Sequence, residues 1–180
     1  MQTRFRNVHP RKFVLLRVAC VFLLAIPLNY AWELAQSGLY AGADQWPSRW
    51  WHCFVASLGD GILVLIIYSV GAIIAGRVDW FESGYKQYPL VLATAVILAL
   101  IVEWIGVNNG HWSYTARMPL IPGLDLGLVP VLQMVVLPPL IFCLAGRLAR
   151  HGREDHAADH RDGDAPHHLG HGTAAPHDRQ

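Results

Sequence analysis

Residues 89–107 read PLVLATAVILALIVEWIGV. An apolar run of this length carries a helix across a hydrocarbon core about 30 Å thick, which takes about 20 residues. A single acidic residue, Glu103, interrupts it, and the chain then passes straight into VNNGHWSY at 107–114, dense in polar and aromatic groups. The first feature decides the fold class; the second raises the question of what a carboxyl group does at the end of such a run.

Three further stretches of the same kind lie outward from it: 18–38, 53–75 and 128–146. Of the 180 residues, 53% are hydrophobic and 15% are Asp, Glu, Lys or Arg, with the apolar residues gathered in long blocks. Such blocks mark a polytopic membrane protein rather than a soluble core. Backbone groups facing lipid must satisfy their own hydrogen bonds, so the spans are helices. The reading is all-α: a four-transmembrane-helix bundle over 18–146, preceded by a basic N-terminus at 1–17 and followed by a charged, His-rich tail at 147–180.

Twelve of the 14 Lys and Arg residues precede the first span, follow the fourth, or lie between the second and third; only Arg49 and Arg117 fall on the other side. The positive-inside rule then makes both termini cytoplasmic. In a bacterial cell this means an inner-membrane protein with its 39–52 and 108–127 loops facing outward. No small-x-small cleavage site follows the first apolar stretch, so it reads as a retained helix rather than a signal peptide.

With direction assigned, depth follows. Glu33 and Glu103 lie near the outer ends of spans one and three, and Asp60 and Gln133 lie a turn or two below the outer ends of spans two and four. Asn29 shares a face with Glu33 at i, i+4, and His52, Ala56 and Asp60 form an i, i+4, i+8 stripe. A charged side chain at mid-membrane costs about 2.5–3.5 kcal/mol on insertion scales. Crowded carboxyl groups also raise each other's proton affinity, and a neutral carboxyl is what a general acid or a proton carrier needs. Glu33, Asp60 and Glu103 are therefore the candidate acid/base residues.

Six of the seven tryptophans fall at or beyond the outer boundary. Trp46, Trp50 and Trp51 read as an interfacial belt. Trp32 and Trp104 adjoin carboxylates in sequence and read as pocket walls. The loop 108–127, with Pro119, Pro122, Gly123 and Gly127, suggests a compact cap over the bundle mouth. It brings Arg117 as a counter-ion, with Trp112, Tyr114 and His111 as further donors. The expected binding set is Asn29, Trp32, His52, Trp104, Trp112, Tyr114, Arg117 and Gln133.

Cys20, Cys53 and Cys143 lie within apolar runs without ligand spacing and read as small hydrophobes. Seven of the ten histidines fall at 151–180 among six acidic residues, a composition that reads as disordered chain. Zn, Ni or Cu would bind it weakly, since imidazole suits them, but no ligand geometry is built in. Neither a cofactor nor an intrinsic metal centre is expected, and no basic patch points to nucleic acid.

The segments YAWELAQSGLY, SLGDG, VEWIG, HWSYTARMPLIPG and VPVLQMVVLPPL, spread over 27–146, resemble a family of small four-span bacterial inner-membrane proteins. That resemblance implies the architecture and the compartment and carries no activity. Architecturally the chain is also similar to emopamil-binding-type isomerases and membrane lycopene cyclases, which place acidic residues inside small bundles, but no motif residue is carried over from them. Three functions follow from the residues. The first is a protein that binds or converts a lipid-like molecule by acid/base chemistry, with membrane lipids as its surroundings. The second is a proton-coupled transporter, which four short spans would form only as a homo-oligomer. The third is an accessory or assembly protein whose carboxylates are structural. A nucleophilic hydrolase is disfavoured, because no G-x-S-x-G or Ser-Lys pattern occurs.

Overall fold

A computed structural model describes residues 10–43, 48–82 and 86–163, with residues 10 and 152–163 as backbone alone. Four helices dominate it: α1 Pro10–Gln36, α2 Arg49–Ala75, α3 Tyr88–Asn108 and α4 Leu128–Gly163. Four stretches are long and apolar enough to cross a membrane: Arg11–Leu39, which runs from α1 through a 3₁₀ turn at Ser37–Leu39, and Arg49–Ala75, Tyr88–Asn108 and Leu128–His151. The outward face is what lipid requires. Leu15, Leu16 and Leu23 are each 67% exposed and Ile73 is 79% exposed, an apolar surface too broad for a chain surrounded by water.

Local chemistry sets the ends. Ser48 caps α2, its side chain accepting from the Trp51 N–H at 3.3 Å. Gly76, at φ 65°, closes the same helix in the left-handed conformation that a side chain resists. Pro89 stands in the first turn of α3, where its missing N–H costs nothing.

The helices alternate in direction, so the α1–α2 and α3–α4 connections share one end. Antiparallel pairing of Tyr40 with Tyr114 ties those two loops together, and the Ala41 N–H donates to Ser113 O at 2.8 Å while the Thr115 N–H donates to Leu39 O at 2.9 Å. The opposite end is dry. Trp80, from a 3₁₀ turn at Trp80–Glu82, is fully buried against Phe142 at 5.3 Å between ring centroids, with Tyr68, Phe81 and Tyr88 around it. Its indole N–H donates to Tyr68 O at 3.2 Å. Beside it Arg17 pairs with Glu82 at 2.5 Å, both side chains about nine-tenths buried. Half of the α4 stretch is buried, against 22–28% for the other three helices, so α4 is the element round which the others pack.

Two expectations are corrected here. The first helix begins at Pro10 rather than 18. Phe13, Val14, Leu15 and Leu16 extend the apolar run, and Arg17, read as a boundary residue, is neutralised within the fold by Glu82. The tail was expected to be irregular from 147. Helical backbone continues instead to Gly163: 147–163 holds four Arg and three Ala, both good helix formers, and the first proline after the span is Pro166. The chain divides into two compact units, 1–147 and 148–180. Trp46, the N-terminal residues 1–9 and the His167, His168 and His171 cluster lie outside the described residues. Cys53 is buried, but Cys143 is exposed on the apolar exterior of α4.

Candidate functional site

The end that holds the paired loops contains a cavity of about 490 Å³. Glu33 from α1, Asp60 from α2 and Glu103 from α3 all line it, together with Gln133 from α4. Depth in the bundle and helical periodicity thus bring the three carboxyl groups to one place. The remaining wall is largely apolar, with Leu63, Ala99, Val102, Pro130 and Met134.

Gln133 organises the polar side. It is 2% exposed, and its amide N–H groups donate to Asn29 Oδ1 at 2.9 Å and to Asp60 Oδ2 at 2.7 Å. Its carbonyl oxygen accepts from Gln36 Nε2 at 2.9 Å. Gln36 also donates to Glu33 Oε1 at 2.6 Å and accepts from Trp32 Nε1 at 3.2 Å. Asn29 completes the chain by donating to Ala25 O at 2.9 Å. One run of amides therefore joins α1, α2 and α4 and presents two carboxyl groups to the cavity.

Glu103 is held separately. It is 5% exposed and accepts from Trp112 Nε1 at 3.3 Å and from the Tyr114 hydroxyl in a short contact. The Tyr114 oxygen in turn accepts from the Gly127 N–H at 3.0 Å, which fastens the loop to the start of α4. Burial, then the hydrogen bond to Glu103, pushes the Tyr114 phenol up to about 12. Tyr40, also on the cavity wall, is pushed up by burial and then by the Glu103 and Glu33 carboxylates. Trp112 packs onto α3 beside Glu103 because residue 106 is glycine: a Cβ there would lie 1.8 Å from the Trp112 ring.

Of the expected binding residues, His52, Trp112 and Gln133 line the cavity, and Asn29, Trp32 and Tyr114 support it through the hydrogen bonds above. Two do not belong. Trp104 is 58% exposed and lines nothing, because adjacent residues on a helix point about 100° apart, and burying Glu103 turns Trp104 outward. Arg117 is exposed and off the cavity wall; the described ion pairs are Arg17–Glu82 and Arg77–Asp79, and Glu103 has the neutral donors Trp112 and Tyr114. Tyr40 and Met134 were not anticipated, and only the i, i+3 spacing of Glu103 and Gly106 hinted at the Trp112 contact. His111, expected as a further donor, lines the cavity and is exposed.

Among the described residues no three His, Cys, Asp or Glu side chains are arranged to hold a metal ion. Comparison with protein-family models, curated proteins and solved structures returns no match.

Proposed function

We propose that this chain is an integral inner-membrane protein, with both termini cytoplasmic, whose outward-facing cavity binds a small lipid-like molecule or converts it by acid/base chemistry. The observation that carries the reading is the convergence of Glu33, Asp60 and Glu103, from three different helices, on one cavity with otherwise apolar walls. Its volume of about 490 Å³ lies within the range of small-molecule sites, about 300–1,000 Å³. Buried carboxyl groups that accept only from amides, an indole and a phenol remain available to take up or release a proton. A salt-bridged carboxylate would be fixed in its charged form. The Lys and Arg distribution supports the orientation.

A second reading is favoured by a specific observation. Gln133 ties three helices together through two of the carboxyl-bearing segments, as a structural brace in an accessory or assembly protein would. A proton-coupled transporter, as a homo-oligomer, draws less support, because among the described residues the half around Trp80 is packed with aromatic side chains and its buried charges, Arg17 and Glu82, are paired with each other.

Native mass spectrometry of the protein in lipid nanodiscs, wild type against Glu103→Gln, separates the first two. The amide keeps an acceptor for Trp112 and Tyr114, so the bundle should persist. A small molecule that leaves with the mutation supports the binding site. No bound species in either form, with a clearly less stable mutant, would move the assignment to the brace.

A further inference from the structure

The cavity wall contains residues that are also exposed on the outside of the bundle. A residue has both properties only where it forms the rim of an opening. His52, Ala56 and Gly59 meet this condition, and they follow one another at i, i+4 and i+7 on one face of α2. At 1.5 Å per residue the line from His52 to Gly59 runs about 10 Å along the helix axis. Across from it on α3 stands the half-buried Val102, with Asp60 just inside. The opening is therefore a slot that begins at the loop end and descends between α2 and α3.

Packing does not require glycine at position 59. A Cβ there meets nothing within 4 Å, whereas a Cβ at Gly61 would come within 2.9 Å of Phe22 and one at Gly71 within 2.5 Å of Trp80. The space beside Gly59 is open. Trp50 and Trp51, each 62% exposed, belong at the membrane interface, and Gly59 lies eight residues, or about 12 Å, further along α2. That depth is in hydrocarbon.

We propose that the slot between α2 and α3 at Ala56 and Gly59 is a lateral portal, through which a molecule places its polar group at the carboxyls while its hydrocarbon tail stays in the bilayer. The inference rests on the membrane-embedded cavity proposed above and adds its route of entry. It also makes Ala56 and Gly59 the residues whose size controls admission of the tail.

The test uses dicyclohexylcarbodiimide, a reagent that partitions into hydrocarbon. A carboxyl O–H adds across one of its C=N bonds, and the acyl group then shifts to nitrogen, leaving a stable N-acylurea with nothing expelled. Wild-type protein in liposomes should carry the adduct on Asp60, Glu33 or Glu103, located by peptide mass spectrometry. Gly59→Phe and, separately, Ala56→Leu should slow the labelling about tenfold, equivalent to about 1.4 kcal/mol, with unchanged thermal midpoints. Ile97→Phe, on the exposed face of α3 away from the cavity, should label at the wild-type rate. Equal labelling of wild type and both folded portal variants, or no labelling of wild type, would overturn the portal. Portal-dependent labelling in a protein that retains no small molecule would uphold the portal and remove the ligand reading. A retained molecule with portal-independent labelling would do the reverse.

Discussion

Replacing Gln133 with leucine removes the amide on which the polar half of the bundle is built while nearly conserving volume. Three hydrogen bonds disappear, those to Asn29, Asp60 and Gln36. Interhelical side-chain bonds measured in a membrane protein average about 0.6 kcal/mol, which makes three of them worth about 2 kcal/mol. A second estimate starts from what is left behind. Gln36 keeps Glu33 as a partner, but Asn29 Oδ1 and Asp60 Oδ2 each lose a donor, at about 1–3 kcal/mol per orphaned group. The second estimate runs from about 2 to about 6 kcal/mol, so the two meet at about 2 kcal/mol, and that is the expected loss in reversible denaturant unfolding in mixed micelles. A double-mutant cycle with Asn29→Leu should give a coupling between the pair of about 0.6 kcal/mol and no more than about 1.7. A loss under about 0.5 kcal/mol, with no coupling, would refute the claim that this amide chain holds α1, α2 and α4 together.

Tyr114→Phe frees both Glu103 and the Gly127 N–H, so amide exchange across 109–127 should quicken and stability should fall by about 1–3 kcal/mol. Burial and the bond to Glu103 push the phenol up to about 12 against 10.0 for an unperturbed tyrosine, so its contribution is complete below pH 10 and is lost as pH rises through about 12; an alkaline fall in unfolding midpoint that is smaller in Tyr114→Phe, which keeps the raised phenol of Tyr40, confirms this, and identical curves refute it. Gly106→Ala drives a methyl group into the Trp112 ring, and the expected result is a red-shifted tryptophan emission and loss of the Trp112–Glu103 bond. At the aromatic end, Arg17→Ala removes the ion-pair partner of the Glu82 carboxylate and should cost about 3–5 kcal/mol, most of it recovered by adding Glu82→Gln, both read from thermal midpoints.

Helix number and the level of the acidic groups were legible in the sequence because both depend on local regularities. Twenty-residue apolar runs report spans, and the i, i+4, i+8 spacing of His52, Ala56 and Asp60 reports a common face; all three line the cavity. Sequence proximity misled where it was taken for spatial proximity. Trp104 adjoins Glu103 in the chain and, about 100° further round the helix, faces outward. Trp32 adjoins Glu33, yet its indole binds Gln36 one turn further on. Arg117 was chosen as counter-ion on charge alone, and the neutral Tyr114 took that place because the pairing of Tyr40 with Tyr114 sets the register of the loop. That pairing joins residues 74 positions apart, which no local pattern encodes. The helix beyond 147 escaped a reading based on charge and histidine content, since helix propensity follows Ala, Leu, Arg and Glu rather than polarity.

The aromatic packing around Trp80 has an electrical consequence. Moving one elementary charge through a full membrane potential of 100 mV involves about 2.3 kcal/mol. The fraction felt at any depth depends on where the insulation lies. Trp80, Phe142, Ile141 and Ile67 are wholly buried at one end, while the cavity at the other reaches the exterior past His52 and His111. In the orientation proposed above, most of the voltage would fall across the aromatic half, and Glu33, Asp60 and Glu103 would sit close to the potential of the bath they face. Protons and charged ligands would arrive at and leave these groups without doing work against the field. Their occupancy would follow the composition of that compartment and stay indifferent to how strongly the cell is energised.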